Sequence, residues 1–185
     1  MKIYTKKGDR GQTFLFGGGP YPKDSERIAA YGEVDELNSV VGCVIAALKK
    51  AEPLADRLLE IQKQLFVVGA ELATVTPSPE MAAGFIQAAH SQALEQDIDA
   101  WENELEPLKK FVLPGGEAAA AFLHQARTVC RRAERAVVKL SHDQAIRSDL
   151  LIYLNRLSDW FFVLARLVNK RAGVPDILWQ GILQA

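Results

Sequence analysis

Five stretches of the chain repeat apolar residues at alternating spacings of three and four, and this repeat constrains the fold more than any other feature. Residues with this spacing lie on one narrow side of an α-helix. A repeat near seven residues also favours shallow crossing angles between packed helices, as in left-handed bundles. The five stretches are residues 34–48 (in a helix over roughly 25–50), 54–72, 94–108, 123–140 and 150–168. The sequence therefore predicts an all-α fold, a five-helix left-handed bundle.

Helix-breaking residues mark the limits of this bundle. Pro77 and Pro79 in "TPSPE" end the second helix, and Gly173 in "RAGVP" caps the fifth. Ahead of the helices, "TFLFG" is a candidate short strand. The 185 residues suffice for one domain with a sizeable core. We predict a single domain over 1–185, with an irregular N-terminal loop over 1–24, a helical bundle over 25–172 and a C-terminal tail over 173–185.

Charge and cysteine content exclude several classes of protein. The net charge of -1 predicts neither a nucleic-acid partner nor binding to an anionic membrane. Cys43 and Cys130 fall in predicted helices, and we expect them to be buried free thiols in a reducing compartment. The N-terminus has no apolar signal region, and runs such as "VVGCVIAAL" are shorter than the roughly 20 residues of a membrane span. We therefore expect a soluble, cytoplasmic protein.

The segment "YTKKGDRGQTFLFGGGPYPKD", residues 4–24, crowds glycines, hydroxyls and charges ahead of the first helix. Its N–H groups, hydroxyls and ammonium groups suit phosphate oxygens, because glycine lets the backbone approach an anion closely. The candidate phosphate-binding residues are Thr5, Lys6, Gly8, Asp9, Gly11, Thr13 and, after a second glycine cluster, Lys23. The segment does not match the G-x-x-x-x-G-K-[ST] loop. Two interpretations stay open: a triphosphate loop of unusual form, or a glycine-rich terminus without ordered structure.

The fourth helix carries several arginines on one side, in "RTVCRRAERAVVKL". Positions i, i+4, i+7 and i+8 share a face beside the apolar seam. They are occupied by Arg127, Arg131, Glu134 and Arg135. Clustered arginines repel one another unless an acid or an anion lies among them, and a polyphosphate would meet this need. The alternative is a solvated charged face, and Lys139 is assigned to another face of the helix.

Two further helices place polar residues at the border of the apolar seam. In "YLNRLSDWFF", Asn155 and Asp159 lie one turn apart beside the apolar stripe. In "YGEVDELNS", Asp35 and Asn38 directly adjoin it. Polar groups at half-buried positions need hydrogen-bond partners, which a ligand would supply. The alternative is that each is a structural polar group with partners inside the bundle.

The motifs "YTKKGDRGQTFLFGG", "YGEVDELNS", "RTVCRRAERAVV" and "YLNRLSDWFF" together resemble the PduO-type ATP:cob(I)alamin adenosyltransferases. The resemblance covers nearly the whole chain, with the motifs in the family's order. It implies a five-helix bundle that assembles as a homotrimer, with one active site at each subunit interface. It also implies transfer of the 5′-deoxyadenosyl group of ATP to the Co(I) of a reduced corrinoid, giving adenosylcobalamin and triphosphate. The product would be handed over to an adenosylcobalamin-dependent enzyme.

The motifs and the resemblance together give a set of expected site residues. The ATP-binding residues are Thr5, Lys6, Lys7, Gly8, Asp9, Gly11, Thr13, Lys23, Arg131, Arg132, Glu134, Arg135 and Asn155. Mg²⁺ would sit on the phosphates, with Glu134 as a ligand. Phe111, in "FVLPGG", matches the family's aromatic on the corrinoid side. The expected catalytic residues are Arg131, Arg135, Phe111, Asp35 and Arg127. Two positions depart from the family pattern: Pro20 replaces a frequent arginine, and Ala29 replaces a glutamate.

Three of these residues carry hypotheses of their own. We expect Asp35 and Arg127 to form a partly buried ion pair, within a subunit or across subunits. Phe111 precedes a turn built from Pro114 and two glycines, and its ring would keep the lower axial base away from cobalt. The alternative is that Phe111 plugs the end of the core.

The chemistry of the implied reaction agrees with the residues present. Co(I) is itself the nucleophile and has no proton to lose, so the protein need not supply a nucleophile or a general base. His90, His124 and His142 accordingly lie outside every motif. The reaction requires a fixed 5′ carbon and cations at the departing triphosphate. A di-metal carboxylate bundle would need Glu-x-x-His pairs, which do not occur here. A non-catalytic ATP-sensing or corrinoid-handling module stays open.

Overall fold

The structure is a computed structural model that describes residues 2–48 and 54–181. In this part of the chain five long helices and one short helix follow a β-hairpin. The elements are β1 (Gln12–Leu15), β2 (Gly18–Pro22), α1 (Glu26–Ala47), α2 (Leu54–Ala73), α3 (Pro79–Ala83), α4 (Ala88–Glu102), α5 (Ala118–Ser141) and α6 (Ser148–Arg171). The predicted mostly helical fold with five main helices is confirmed. The short α3 was not predicted; it begins where the side chain of Ser78 accepts a hydrogen bond from the Met81 N–H.

The apolar faces of the five long helices form one core. α1 packs against α2 and α5, α5 packs against α6, and α6 packs against α4. The largest fully buried side chains lie on α6: Tyr153, Trp160 and Phe161. Their polar atoms have partners, since the Tyr153 hydroxyl donates to Oε1 of Gln64 at 2.8 Å and the Trp160 indole donates to Oδ2 of Asp97 at 2.8 Å. These two hydrogen bonds join α6 to α2 and to α4.

The third long helix is shorter than its apolar spacing predicts. α4 ends at Glu102, so Leu105 and Leu108 lie beyond it, and Leu108 is 46% exposed. Pro107 explains this, because it has no N–H and disfavours helical geometry at the residue before it. Arg171 on α6 also holds Glu104 outside the helix at 2.7 Å. The prediction of a helix through residue 108 is therefore wrong.

The N-terminal segment contains an antiparallel hairpin rather than a wholly irregular loop. β1 overlaps the predicted strand "TFLFG", and it pairs with β2 in a register that matches Thr13 with Tyr21. Phe16 docks the hairpin on the end of α2: its N–H donates to the Ala73 oxygen at 3.0 Å, and its oxygen accepts from Val75 at 3.2 Å. The hairpin is thereby attached to the bundle through backbone bonds.

The two cysteines differ from each other in exposure. Cys130 is buried, its thiol donates to the Leu154 oxygen at 3.2 Å, and burial raises its pKa. Cys43 is exposed, so the prediction that both thiols are buried is wrong for this residue. The reason is its position on α1, since the buried stripe passes through Val41 and Val44 instead. The predicted cap of α6 is present, as Gly173 follows the helix at φ 73°.

The helices were compared with the requirements of a membrane-spanning segment. Within residues 2–48 and 54–181, none of them combines the length and the apolar character that a membrane span requires.

Candidate active site

A groove between α5 and α6 gathers four of the predicted ATP-binding residues. Arg131, Glu134 and Arg135 on α5 and Asn155 on α6 line a space of about 430 Å³. Across it, the Asn155 amide donates a hydrogen bond of 2.9 Å to Oε1 of Glu134. Asn155 thereby has the partner that an asparagine in a helix needs, and it joins the two helices at the groove.

The groove is rich in positive charge. Arg135 folds back along α5 and donates from Nη1 to the Arg131 backbone oxygen at 3.0 Å. In the part of the chain that the structure describes, neither Arg131 nor Arg135 forms an ion pair. Glu134, the carboxylate beside them in the groove, accepts its hydrogen bond from Asn155 instead. Two guanidinium groups one turn apart, neither of them in an ion pair, favour an anionic ligand.

The structure directs Arg132 to a different surface. Its Nε donates to Glu33 at 2.5 Å, and its Nη2 donates to Glu36, both on α1. These two hydrogen bonds raise the pKa of Arg132. Arg132 is also absent from the lining of the groove. It connects α5 to α1 and does not lie with Arg131 and Arg135, although the motif places the three close together in sequence.

Lys139 lies in the groove, so its assignment to another face of α5 is wrong. It lines the groove together with Val138 and His142. The reason is helical geometry, since residues at i, i+4 and i+8 occupy the same side of a helix, and Lys139 follows Arg131 by eight. The Lys139 ammonium also contacts Oε1 of Glu26 at 2.9 Å, at the start of α1. The sequence itself contains this i+8 spacing between Arg131 and Lys139.

Arg127 lies on the same helix, one turn before Arg131, and makes no hydrogen bond or ion pair with the residues that the structure describes. Its Nε is buried and makes no hydrogen bond, and its pKa is lowered by burial and by Arg131. Asp35 is exposed on α1. No ion pair joins Asp35 to Arg127 within the described chain, so the form of the hypothesis that places the pair inside one subunit is wrong. On the same helix, Glu33 and Glu36 pair with Arg132 of α5 instead.

His124 occupies the next position along this face. It is 3% exposed, and neither ring nitrogen has a hydrogen-bond partner. Its ring meets Phe162 on α6 edge-on, with the centroids 6.0 Å apart. Burial lowers its pKa, the neighbouring Arg127 lowers it further, and Asp176 acts in the opposite direction. This shift favours the neutral ring of His124 over the charged one.

The N-terminal loop forms a compact turn around its glycines. The Gly11 N–H donates to the Gly8 oxygen at 3.2 Å, and Gly11 adopts a φ of 74° that favours glycine. The Lys23 N–H donates to the Gly11 oxygen at 2.9 Å, and a Cβ on Gly8 would approach the Lys23 ammonium to 3.0 Å. Lys23 is thus brought to the loop. The loop's remaining candidates are the exposed Thr5, Lys6, Lys7 and Asp9 and the half-buried Thr13.

Within the described part of the chain, no residue of this loop lines the groove. Among the described residues, no hydrogen bond or ion pair joins residues 5–23 to Arg131, Glu134, Arg135 or Asn155. Lys139 in the groove forms an ion pair with Glu26, three residues after Lys23. The predicted phosphate-binding loop and the groove are therefore not joined by polar contacts among the described residues of one chain.

Phe111 lies in the loop between α4 and α5. Its side chain is 78% exposed, so the alternative that it plugs the core is wrong. The turn that follows is fixed by Asn169 on α6, which accepts from the Glu117 N–H at 2.9 Å and donates to the Gly115 oxygen at 3.0 Å. Gly116 has a φ of 102°, and a Cβ there would lie 2.1 Å from the Asn169 side chain. Only glycine fits at this position.

The C-terminal tail pairs with the Phe111 loop. Val112 and Leu178 form an antiparallel bridge, and the Trp179 N–H donates to the Phe111 oxygen at 2.8 Å. Phe111 and Trp179 line a groove of about 510 Å³. An adjoining cavity of about 990 Å³ lies between residues 105–109 and the tail, with the Arg166–Asp176 ion pair among its lining residues. The interpretation of residues 173–185 as a tail gave no sign of this pairing, because it joins segments that are far apart in sequence.

Pro20 and Ala29, which depart from the family pattern, lie away from the groove. Pro20 lies in β2 and Ala29 lies in the first turns of α1, and both are exposed. Neither position lines the groove between α5 and α6.

Comparison with known proteins decides the family. The sequence profile described as "Cobalamin adenosyltransferase" matches residues 3–168. The chain belongs to the cobalamin adenosyltransferase family. It is 47% identical over 183 residues to the corrinoid adenosyltransferase of Bacillus subtilis (strain 168), covering 97% of this chain and 93% of that protein. The predicted resemblance is thereby confirmed.

Solved structures of this family also match the fold. One is a phenylalanine-to-histidine variant of the PduO-type ATP:corrinoid adenosyltransferase from Lactobacillus reuteri, complexed with cobalamin and ATP. It is 44% identical, with a TM-score of 0.92 and 97% of each chain covered. An arginine-to-lysine variant of the L. reuteri protein, complexed with ATP, is 44% identical with a TM-score of 0.89, covering 96% of this chain and 100% of that one.

Proposed function

We propose that this chain transfers the 5′-deoxyadenosyl group of ATP to the Co(I) of a reduced corrinoid, giving adenosylcobalamin and triphosphate. The observation that carries the proposal is the groove in which Arg131 and Arg135 lie one turn apart, neither of them in an ion pair among the described residues. A polyphosphate supplies the missing negative charge. Membership of the cobalamin adenosyltransferase family supports the same conclusion.

The transfer forms one bond and breaks one bond. An electron pair on Co(I) attacks the 5′ carbon of ATP, the bond from that carbon to the phosphate oxygen breaks, and triphosphate leaves with the bonding electrons. No proton moves, so no general base is needed. The protein fixes the 5′ carbon opposite cobalt, and the guanidinium groups of Arg131 and Arg135 stabilise the growing charge on triphosphate. Lys6 and Lys23 of the N-terminal loop act on the same charge.

The groove also fits Mg²⁺ bound to ATP. This ion usually takes one or two protein carboxylates together with phosphate oxygens and water. Glu134 is the one carboxylate among the described residues that line the groove, and Asn155 orients it through a 2.9 Å hydrogen bond. We assign Glu134 as the Mg²⁺ ligand. The bound ion would neutralise part of the phosphate charge.

The corrinoid would bind on the Phe111 surface. An exposed aromatic side chain on a loop fixed by Asn169 suits the apolar face of a macrocycle. The groove beside Phe111 and the larger cavity that adjoins it provide room for a ligand of this size. Phe111 would occupy the place of the lower axial base.

We further propose a homotrimer with each active site between two subunits. Two observations on the described residues support it: no residue of the N-terminal loop lines the groove, and the buried Nε of Arg127 has no hydrogen-bond partner. A neighbouring subunit would supply the loop to the groove and the exposed Asp35 to Arg127. The assembly would act in the cytoplasm and hand its product to an adenosylcobalamin-dependent enzyme.

One incubation separates this function from its alternative. The protein is mixed with ATP, Mg²⁺ and chemically reduced cobalamin, and the absorption spectrum and the nucleotide products are recorded. We expect a Co–C bond and triphosphate in equal amounts. ADP would indicate phosphoryl transfer instead. Intact ATP with a bound corrinoid would indicate a non-catalytic ATP-sensing or corrinoid-handling module.

A further inference from the structure

Arg27, in the first turn of α1, is buried without a carboxylate partner. It is 8% exposed, and it forms no ion pair with any residue in 2–48 and 54–181. A buried guanidinium group needs hydrogen bonds, and here neutral oxygens accept them. Nη1 donates to the Leu72 backbone oxygen at 2.6 Å, and Nε donates to Oε1 of Gln144 at 2.8 Å, which also accepts from Nη2. Arg27 therefore joins the start of α1 to the end of α2 and to the segment after α5.

Two of these three elements hold the N-terminal hairpin and its loop. The Phe16 N–H donates to the Ala73 oxygen at 3.0 Å, one residue after the carbonyl that Arg27 binds. The Lys23 N–H donates to the Gly11 oxygen at 2.9 Å, and Lys23 precedes Arg27 by four residues. The proposed phosphate-binding loop is thus attached to the bundle within a few residues of the groups that Arg27 joins.

The third element leads to the groove between α5 and α6. The Gln144 N–H donates to the Leu140 oxygen at 3.1 Å, which fixes Gln144 to the end of α5. His142 and Lys139 line the groove, and they lie two and five residues before Gln144. The bonds from Arg27 to Gln144 therefore set where the end of the groove lies relative to the helix that follows the loop.

We propose that Arg27 is a positioning residue for the triphosphate, acting through the base of the phosphate-binding loop and the end of the groove. This inference rests on the proposed function. A binding site works only when packing and hydrogen bonds behind it fix its contacting groups, and a misplacement of about 1 Å can be costly. Arg27 supplies such support at one point for two parts of the site. In a homotrimer the same bonds set the direction in which the loop extends to a neighbouring groove.

The test uses two variants and one matched control. Arg27→Met removes the guanidinium group but keeps an unbranched stem, and Gln144→Ala removes an exposed side chain. Arg147→Met is the control, because Arg147 also binds the end of α2, through Glu71, and donates to the Ile86 oxygen at 2.9 Å. Among the described residues, Arg147 does not line the groove.

Four quantities are measured for each variant, well below its thermal midpoint. They are the Kd for ATP with Mg²⁺ in the absence of corrinoid, the inhibition constant of inorganic triphosphate, the KM for the corrinoid and the thermal midpoint itself. The first two separate phosphate binding from the chemical step, and the last separates positioning from stability.

Arg27→Met should raise the Kd for ATP about five- to tenfold, and the inhibition constant of triphosphate should rise in parallel, because the effect lies at the phosphates. The KM for the corrinoid should stay within about twofold. Gln144→Ala should reproduce part of the rise in Kd. Arg147→Met should lower the thermal midpoint and leave the Kd for ATP within about twofold.

An equal rise in the Kd for ATP in Arg27→Met and Arg147→Met would mean that Arg27 only stabilises the fold. An unchanged Kd in Gln144→Ala would overturn the inference even if Arg27→Met failed to fold. Failure of the proposed function gives a different result, because the wild type itself would then form no Co–C bond while the ATP affinities could still be compared.

Discussion

Arg135 donates a hydrogen bond of 3.0 Å to the backbone oxygen of Arg131, one turn earlier on α5. The side chain of Arg135 therefore lies along the helix toward Arg131, within the groove that both line. An arrangement of this kind is unfavourable without a counter-charge, because like charges one turn apart repel. In the proposed enzyme the triphosphate supplies that charge, and the first prediction follows from this pair.

Replacing Arg131 with lysine should impair the enzyme even though the charge is kept. Lysine loses the planar fork that contacts two phosphate oxygens at once. We expect Arg131→Lys to raise the KM for ATP and to lower kcat/KM by about tenfold or more, and Arg131→Ala to be worse. Steady-state kinetics against ATP measure this. Lys63→Ala is the control, since Lys63 is a largely exposed cation on α2. Equal losses at Lys63 and Arg131 would show that the arginines form only a solvated face.

Lys139 should contribute to ATP binding but little to the chemical step. It continues the positive side of α5 into the far part of the groove, and its ion pair with Glu26 is largely exposed, with side-chain exposures of 71% and 40%. Exposed pairs are weak, so an arriving phosphate can displace Glu26. We expect Lys139→Ala to raise the KM for ATP about two- to fivefold at low salt, with kcat unchanged. A KM that stays at the wild-type value would leave Lys139 outside the ATP site.

The apolar repeat predicted the long helices correctly but not all of their details. The five long helices followed from the apolar repeat alone, because a helix buries residues at fixed local spacing. The same repeat wrongly extended α4 to Leu108, since it took no account of the constraint that Pro107 imposes. Cys43 shows a further limit, because a helix predicted correctly can still turn a given thiol outward.

The prediction of the candidate site is also correct for some residues and not for others. Asn155 and Glu134 were predicted together, and they share a hydrogen bond in the groove. Arg132 was grouped with them by motif, yet it is bound by the α1 glutamates, which only packing of α1 on α5 reveals. The pairing of Trp179 with Phe111 involves a segment with no helical or strand pattern of its own. Local sequence patterns therefore could not predict this pairing.

Assembly is the third prediction. We expect a homotrimer by light scattering at micromolar concentration, with the N-terminal loop of one subunit over the groove of the next. A mixture of an inactive Lys6 variant with an inactive Arg131 variant should then regain part of the activity, because some sites receive both intact surfaces. A monomer at this concentration, or no recovery after subunit exchange, would contradict the shared site.

The same interface should pair Asp35 with Arg127 of a neighbour. A charge buried without its partner is costly, so each single alanine variant should lose more stability or activity than expected from the double variant. A double-mutant cycle measures the coupling energy, and Ser39→Ala, another exposed position on α1, is a control for Asp35. A coupling energy of zero would show that Asp35 and Arg127 do not form an ion pair.

His124 should make the protein less stable in mild acid. Its folded pKa lies below the ordinary value of 6.5, because burial and Arg127 both disfavour the charged ring. As pH falls through 6.5, the unfolded chain takes up a proton that the folded chain resists, so the free energy of unfolding decreases. We expect His124→Phe to lose less thermal stability than the wild type between pH 7.5 and about pH 5.5, a window set by the ordinary histidine pKa.

His142→Gln is the control for this change, because His142 is exposed. It should follow the wild-type dependence on pH. If the wild type and His124→Phe lost stability with the same slope, protonation of His124 would have no part in it.

The last prediction concerns Phe111 and the state of cobalt. Cob(II)alamin with its lower base attached is hard to reduce, because the axial ligand raises the energy of the orbital that must accept the electron. A site that removes the base makes reduction easier and favours Co(I). The Phe111 ring, 78% exposed and held above the groove that it shares with Trp179, is available to fill the place of the base.

Phe111→Ala should therefore act on cobalt and not on the fold. A side chain this exposed contributes little to the core, so the variant should unfold within about 1 kcal/mol of the wild type and bind ATP normally. It should lose the spectral signature of four-coordinate Co(II), and it should adenosylate far more slowly from Co(II) than from pre-reduced Co(I). The comparison of the two starting states decides the mechanism, because a ring that merely improves corrinoid binding would slow both equally. An equal slowing would show that Phe111 holds the corrinoid without displacing its base.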